Sequence, residues 1–138
     1  MTKNILLEKL QNSISAGEYT ILTENAIPHI SEHNRTTLLE MMTSTSSDKT
    51  DVSVSKVEAL KIILENYLSI YLPEDKTCWK WIILSCIYLC FICNRLLHSR
   101  ESVHYTETPS NGEQIYYCPY KAKEEGTACS FCVCKAVI

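Results

Sequence analysis

Cysteine is the residue type with the clearest chemical potential in this 138-residue chain, because all eight copies lie at or after position 78. Cys129 and Cys132 form a C-x-x-C pair, and a pair with this spacing commonly supplies half of a tetrahedral zinc site. The other half can come from Cys118 with a nearby histidine, or from Cys134. Zinc is therefore the predicted cofactor, bound by Cys118, Cys129, Cys132, Cys134 and His104.

Two other states of these thiols remain open, because one C-x-x-C pair is weaker evidence for zinc than two pairs. If the tail lies outside the cytosol, Cys118 would form a disulfide with one of the three later cysteines. In the cytosol the thiols would stay reduced and free. A thioredoxin-type redox role is disfavoured, since C-S-F-C does not open a helix after a strand.

The sequence contains no recognisable catalytic constellation. It has no Gly-rich phosphate loop, no paired-carboxylate site and no Ser/His/Asp order. The formal net charge of −3 and the lack of a basic run or an Arg-aromatic patch disfavour nucleic-acid binding. We therefore predict a non-enzymatic protein that binds a protein partner and no nucleic acid.

A second group of cysteines has helical spacing, because Cys86, Cys90 and Cys93 lie at i, i+4 and i+7 and so share one helix face. Cysteine packs well as a small apolar residue, so ordinary packing is the simplest interpretation. The same seam is also suited to a disulfide-linked homodimer. S-acylation near a bilayer edge would favour Cys78 or Cys93.

These cysteines belong to the most apolar segment of the chain, C-W-K-W-I-I-L-S-C-I-Y-L-C-F-I-C, which starts at Cys78. No residue from 81 to 93 is charged, and a helix of that length covers about 20 Å of a hydrocarbon core of roughly 30 Å. This length favours a buried core helix. The flanks favour a membrane span, because four side chains there suit a membrane interface. The predicted anchor residues are Trp79, Lys80, Trp81 and Arg95.

A helix that is apolar on every side lies either in a bilayer or in a fully wrapped core. The predicted helix, residues 77–98, is assigned first to a single-pass membrane association with the N-terminal region in the cytosol. The alternative is a cytoplasmic protein in which the same helix is the core of a bundle. No signal peptide is predicted, because Glu8 and Lys9 interrupt the first apolar residues.

Residues 1–72 are predicted to form an amphipathic helical region with a flexible loop at about 43–53. The first helix has Gly17 as its expected stop. Ser31 is expected to cap the helix that precedes the loop.

The clearest amphipathic helix follows the loop. Ser55 and Glu58 fit a capping box at its start, and Asp75 can cap the apolar helix that comes next. The apolar stripe of this helix is the predicted partner-binding face, made of Leu60, Ile63, Leu64, Tyr67, Leu68 and Tyr71.

Residues 99–138 are predicted to be an irregular, Cys-rich tail with a short β-hairpin, because P-S-N-G is a turn and E-Q-I-Y-Y and S-F-C-V-C-K-A-V-I suit short strands. The fold class is therefore mainly α: a small helical bundle or helical hairpin with one very apolar helix. A β-sandwich or barrel is disfavoured, since glycine and proline are scarce.

Two functions follow from these elements. The first is a small membrane-associated accessory protein that binds a protein partner through its helical region. The alternative is a soluble all-α interaction module with a zinc-binding Cys/His tail. The many Ile, Asn, Lys, Ser and Thr residues would suit a viral accessory protein that modulates its host.

Overall fold

The computed structural model describes residues 1–24, 30–100, 103–110, 112–119, 121 and 128–136. The chain is mainly helical, as predicted, with a small antiparallel hairpin and an irregular C-terminal region. The helices of the described part are α1 (Lys3–Asn12), α2 (Ala16–Glu24), α3 (Glu32–Thr43), α4 (Val54–Tyr71) and α5 (Lys76–Ile87). The strands are β1 (Thr106–Ser110), β2 (Glu113–Cys118) and β3 (Lys135–Ala136).

Polar side chains begin four of the helices by accepting hydrogen bonds from otherwise unpaired backbone N–H groups. Ser31 Oγ accepts from the backbone of Asn34 at 3.1 Å, and Asp75 Oδ1 accepts from the backbone of Cys78 at 3.2 Å. Both predicted caps are confirmed. The predicted Ser55 capping box is wrong, because α4 begins two residues earlier, with Ser53 as its cap.

The predicted stop at Gly17 is also wrong. Helix α1 ends at Asn12, and Gly17 lies in the first turn of α2. The intervening Ser15 opens α2 in the manner of a capping box, because its Oγ accepts from the backbone of Glu18 and the Glu18 carboxylate accepts from the backbone of Ser15.

Helix α5 lies at the centre of the bundle, in contact with α3 and α4. It continues without interruption as one turn of π-helix, Tyr88–Cys93, which also contacts α1. Every residue from Ile83 to Cys90 is buried. The surrounding helices face it with the leucines of their apolar sides, including Leu6, Leu10, Leu38, Leu60, Leu64 and Leu68.

The apolar helix ends at Cys93, five residues before the predicted end near position 98. Asn94 adopts the left-handed conformation, with φ 49° and ψ 49°, and the backbone of Arg95 donates to Leu89 O at 3.0 Å. Asparagine tolerates this conformation better than most residues with a Cβ atom, so it is a natural helix terminator. Asn94 is a polar residue that could have indicated the end of the helix, but Leu96 and Leu97 extend the apolar pattern past it.

The segment predicted as a flexible loop runs along the start of α1. The backbone N–H of Lys3 donates to Thr50 O at 2.9 Å, and that of Val52 donates to Met1 O at 2.7 Å. Val52 is buried in the core. The polar Ser/Thr pattern alone does not indicate this pairing, because the partner groups are backbone atoms far away in sequence.

The predicted hairpin is present, but its partner strand is different from the expected one. β1 pairs with β2 in antiparallel register through a turn in which Gly112 has φ 81°, a conformation that favours glycine. The expected strand around Cys132 is mostly irregular. Only β3 pairs there, in parallel with the end of β2.

Candidate functional site

A groove of about 620 Å³ lies between α1, α4 and α5. Its floor is apolar and comes from all three helices, together with the end of the segment that leads into α4. The apolar lining residues are Met1, Leu6, Leu10, Val52, Val54, Val57, Trp79, Ile83, Leu84 and Ile87. A concavity of this size between the helices of a bundle is typical of binding sites.

The rim of this groove is charged, with a surplus of lysine. Helix α4 contributes Lys61 with Glu58 and Glu65, α1 contributes Lys9, and α5 contributes Lys76 and Lys80. Within the described ranges, the side chains of Lys9, Lys61 and Lys76 form no ion pair. The groove therefore presents exposed positive charge on a chain whose formal net charge is −3.

The predicted membrane anchors all have polar partners inside the protein. Trp79 Nε1 donates to Leu72 O at 2.6 Å, while Trp81 Nε1 donates to Glu18 Oε2 at 2.7 Å. Lys80 Nζ pairs with Glu18 Oε1 at 2.9 Å, and the Arg95 guanidinium pairs with the carboxylate of Glu40. Trp81 is 4% exposed, so it is a core residue here.

Glu18 joins α2 to α5 by binding two consecutive side chains of α5. Partial burial acts to raise the pKa of Glu18, but the hydrogen bonds from Lys80 and Trp81 outweigh it and hold this pKa below its ordinary value. The charged form of Glu18 is therefore the one that the fold stabilises. Sequence reasoning missed this residue, because no local pattern links position 18 to positions 80 and 81.

The six residues of the predicted partner-binding face separate into two groups. Leu60, Leu64 and Leu68 are buried against α5 and do not line the groove, and Ile63 is half-buried. Tyr67 and Tyr71 are exposed, with ring centroids 4.5 Å apart. The exposed apolar residues Ile62 and Ile70 were not predicted, because they lie outside the stripe that the helical period selects.

The structure brings the two groups of cysteines together in one buried cluster. Cys86 and Cys90 from the apolar helix lie near Cys118, Cys132 and Cys134 from the tail, and all five are less than 9% exposed. The backbone N–H of Leu97 donates to Cys132 Sγ at 3.2 Å. Lys121 Nζ donates to the carbonyl oxygens of Cys132 and Cys134. We call these five residues the thiol cluster.

Burial makes three thiols of this cluster, those of Cys86, Cys90 and Cys134, weak nucleophiles. It raises the pKa of Cys86 and of Cys134 to about 12, and it raises the pKa of Cys90 further. The neighbouring thiols add to the shift in each case. Since the thiolate is the reactive form, these thiols are nearly fully protonated at neutral pH.

The predicted zinc ligands do not all converge. Cys118, Cys132 and Cys134 belong to the thiol cluster, whereas Cys129 is half-buried and His104 is exposed. Across the described ranges, no three or more His, Cys, Asp or Glu side chains are arranged to hold a metal ion. Zinc binding therefore stays a prediction from cysteine spacing.

Of the Cys86, Cys90 and Cys93 face, which would form the seam of a homodimer, Cys86 and Cys90 lie beside cysteines of the tail. Cys86 and Cys90 are buried, and Cys93 is half-buried. The ring of Phe91 in the same turn contacts Phe131 of the tail, with centroids 5.9 Å apart. The residues of the chain's own C-terminal region therefore occupy the face that a second copy would need.

A second concavity of about 390 Å³ lies beyond the end of α5 and includes His33, Arg95, His98 and Arg100. It is not a clear anion site, because Arg95 pairs with Glu40 and Arg100 pairs with Glu107. These carboxylates neutralise the two permanent positive charges. The groove between α1, α4 and α5 is consequently the stronger candidate site.

Comparisons with known proteins identify no related protein, so the function is argued from the residues described above. No protein-family model, no curated protein and no solved structure matches this chain.

Proposed function

We propose that the chain is a non-enzymatic protein-interaction module, a helical bundle with α5 as its core that binds a protein partner in the groove between α1, α4 and α5. The groove carries this proposal, because it is an apolar concavity of about 620 Å³ that is open to solvent. Grooves between helices are a recurring site for protein segments. The function is therefore recognition and not chemistry.

The burial of α5 supports a core role for this helix. More than half of the residues from Lys76 to Cys93 are buried by other parts of the chain. Moving this helix into a bilayer would break the contacts of Lys80 and Trp81 with Glu18, and would expose the apolar sides of α3 and α4 to water. With α5 in the core of the bundle, the contacts with Glu18 are kept and the apolar sides of α3 and α4 stay covered.

The state of the cysteines supports a non-enzymatic function. A nucleophilic cysteine needs a lowered pKa and access to substrate. All members of the thiol cluster are buried away from a substrate, and burial raises the pKa of Cys86 and of Cys134 to about 12 instead of lowering it.

Site-specific photo-crosslinking tests this function directly. A benzophenone amino acid at Val54, on the lip of the groove, is expected to form an adduct with one discrete protein in expressing cells. The same amino acid at Lys56, two residues further along α4 and outside the groove, is the matched control. The captured protein is then purified and its binding to the purified chain is measured. Equal labelling from both positions, or no binding by the purified partner, would contradict the proposal.

Membrane association is the second candidate, because Lys76–Cys93 is long and apolar enough to cross a bilayer. A soluble core helix satisfies the same criterion. Flotation of the purified chain with phosphatidylcholine vesicles, without detergent, separates the two functions. We expect the chain to stay at the bottom of the gradient, and quantitative flotation together with resistance to carbonate extraction would establish the anchor instead.

A further inference from the structure

We propose that the occupant of the groove between α1, α4 and α5 is an amphipathic α-helix of a partner protein, with acidic residues along the edges of its apolar face. This inference rests on the proposed function and adds the class of the partner. It follows from three properties of the groove: its apolar floor, its mainly helical walls, and its lysine-rich rim.

The floor of the groove favours a partner whose apolar side chains are regularly spaced. Residues from successive turns of α5, Trp79, Ile83 and Ile87, follow one another along it at steps of four. Leu6 and Leu10 of α1 repeat the same step on the facing side. A partner helix with apolar side chains at i, i+4 and i+7 presents matching ridges, because helices pack by inserting ridges into grooves.

The walls select a helix over an extended peptide. They consist mainly of side chains of helices, whose backbone N–H and C=O groups are largely bonded within each helix. An extended segment pressed onto this floor would bury its own polar backbone groups without partners, which is unfavourable. A helix satisfies those groups by itself and buries only side chains.

The rim of the groove favours a partner helix with acidic residues on both sides of its apolar face. Lys9 and Lys61 are exposed on different walls, and Lys76 is exposed at the end where α5 begins. The glutamates of the lining, Glu58 and Glu65, both lie on α4, so they do not neutralise the lysines of α1 and α5. Asp or Glu beside the apolar face of the partner would pair with these lysines, while Lys or Arg there would be repelled.

Three synthetic peptides of about four helical turns test this inference. They share one apolar face and carry Glu, Gln or Lys at the flanking positions. Binding to the purified chain is measured by fluorescence anisotropy at low salt. We expect the Glu peptide to bind most tightly and the Lys peptide most weakly, with the difference reduced at high salt because exposed charges are screened.

Charge reversal in the protein locates the contact. Lys61→Glu is expected to weaken binding of the Glu peptide roughly fivefold or more and to strengthen binding of the Lys peptide. Lys56→Glu is the matched control, because Lys56 is equally exposed on α4 but does not line the groove. It is expected to change neither affinity. Circular dichroism of both variants verifies that the fold is retained.

Two results would overturn the inference in different ways. If all three peptides bind equally and Lys61→Glu has no effect, the partner helix does not need acidic residues beside its apolar face. The groove would still bind a helix, and the proposed function would still stand. If no peptide binds but oleate does, the groove holds an acyl chain and the helix inference fails. The cross-linking of Val54 then decides independently whether the interaction function fails as well.

Discussion

At the scale of single residues, Glu18 makes the most specific connection in the bundle. One carboxylate receives both the Lys80 ammonium and the Trp81 indole N–H, so it fixes the rotation of α5 relative to α2. Charge-assisted hydrogen bonds of this kind are stronger than neutral ones. Two of the four predicted membrane anchors, Lys80 and Trp81, thus serve to position a core helix.

Glu18→Gln is expected to destabilise the folded state by about 1–2 kcal/mol at pH 7. Because the folded pKa of Glu18 is lowered, its contribution is fully present above the unfolded pKa and is lost as the pH falls through the folded value. Urea denaturation at pH 7 and near pH 3 measures this difference, which should shrink at the lower pH. Glu8→Gln, at an exposed position of α1, is the control. An equal loss at both pH values would show that shape, and not charge, is responsible.

At the scale of elements, the two apolar sides of α4 have different roles. Leu60, Leu64 and Leu68 form the contact with α5, whereas Tyr67, Ile70 and Tyr71 form an exposed patch near the C-terminal end. The helical period predicts which residues share a face. It does not show which face is covered, since that depends on where α5 and the loops lie.

Side-chain truncation on the two sides of α4 should change the free energy of unfolding by very different amounts. Leu60→Ala removes a side chain that is 0% exposed and should lower the free energy of unfolding by about 2–5 kcal/mol. Ile70→Ala, at a side chain that is 72% exposed, should change it by less than about 0.5 kcal/mol. Chemical denaturation of both variants measures the difference. Similar losses for the two would mean that α4 is rotated relative to this packing.

The end of the apolar helix depends on the backbone of Asn94. Asn94→Val should lower the free energy of unfolding by about 1–2 kcal/mol, because a β-branched residue is strained at φ 49°. Asn94→Gly should cost nothing or stabilise slightly, since glycine adopts this conformation freely. Thermal unfolding of the pair provides the measurement. If both variants lose the same stability, the Asn94 side chain matters more than its backbone conformation.

Much of the fold could be predicted from local signals, and the features of the tertiary structure that were missed share one physical cause. The caps at Ser31 and Asp75 act within one helical turn, so the sequence alone indicates them. The thiol cluster and the groove depend on contacts between residues that are distant along the chain, such as Cys90 with Cys132. The packing of the tail against Cys86 and Cys90 was not predicted, because the sequence of the tail shows no periodic pattern.

At the scale of the whole molecule, the thiol cluster attaches the tail to the bundle. Cys118 at the end of β2, and Cys132 and Cys134 between the 3-10 helix Ala128–Phe131 and β3, pack against the apolar helix and Leu97. Reduced cysteine acts here as a small apolar residue. The tail is therefore part of the core, and its contribution can be measured through thiol reactivity.

Alkylation by iodoacetamide at pH 8 should distinguish the buried from the half-buried cysteines. Cys93 and Cys129 are expected to react first, while Cys86 and Cys134 react slowly, because their thiols are buried and their pKa is raised to about 12. Mass spectrometry of timed samples follows each site. In urea all eight should react alike. Rapid native labelling of Cys134 would show that the tail does not pack against the bundle.

The same assay with a chelator tests the predicted zinc. If burial alone protects the cluster, then EDTA leaves the labelling rates unchanged. If zinc holds Cys118, Cys132 and Cys134, then EDTA should increase the labelling of all three together, and metal analysis of the untreated protein should find about one zinc per chain.

The central position of α5 also has a consequence for synthesis on the ribosome. The helices that surround α5 precede it in the chain, so α1 to α4 emerge before the element that covers their apolar sides exists. The nascent chain must remain incompletely folded until residue 93 has left the exit tunnel, and during that interval it depends on chaperones for protection from aggregation. Stalled chains that expose residues 1–75 should be digested rapidly by protease, whereas chains that expose the tail as well should resist it.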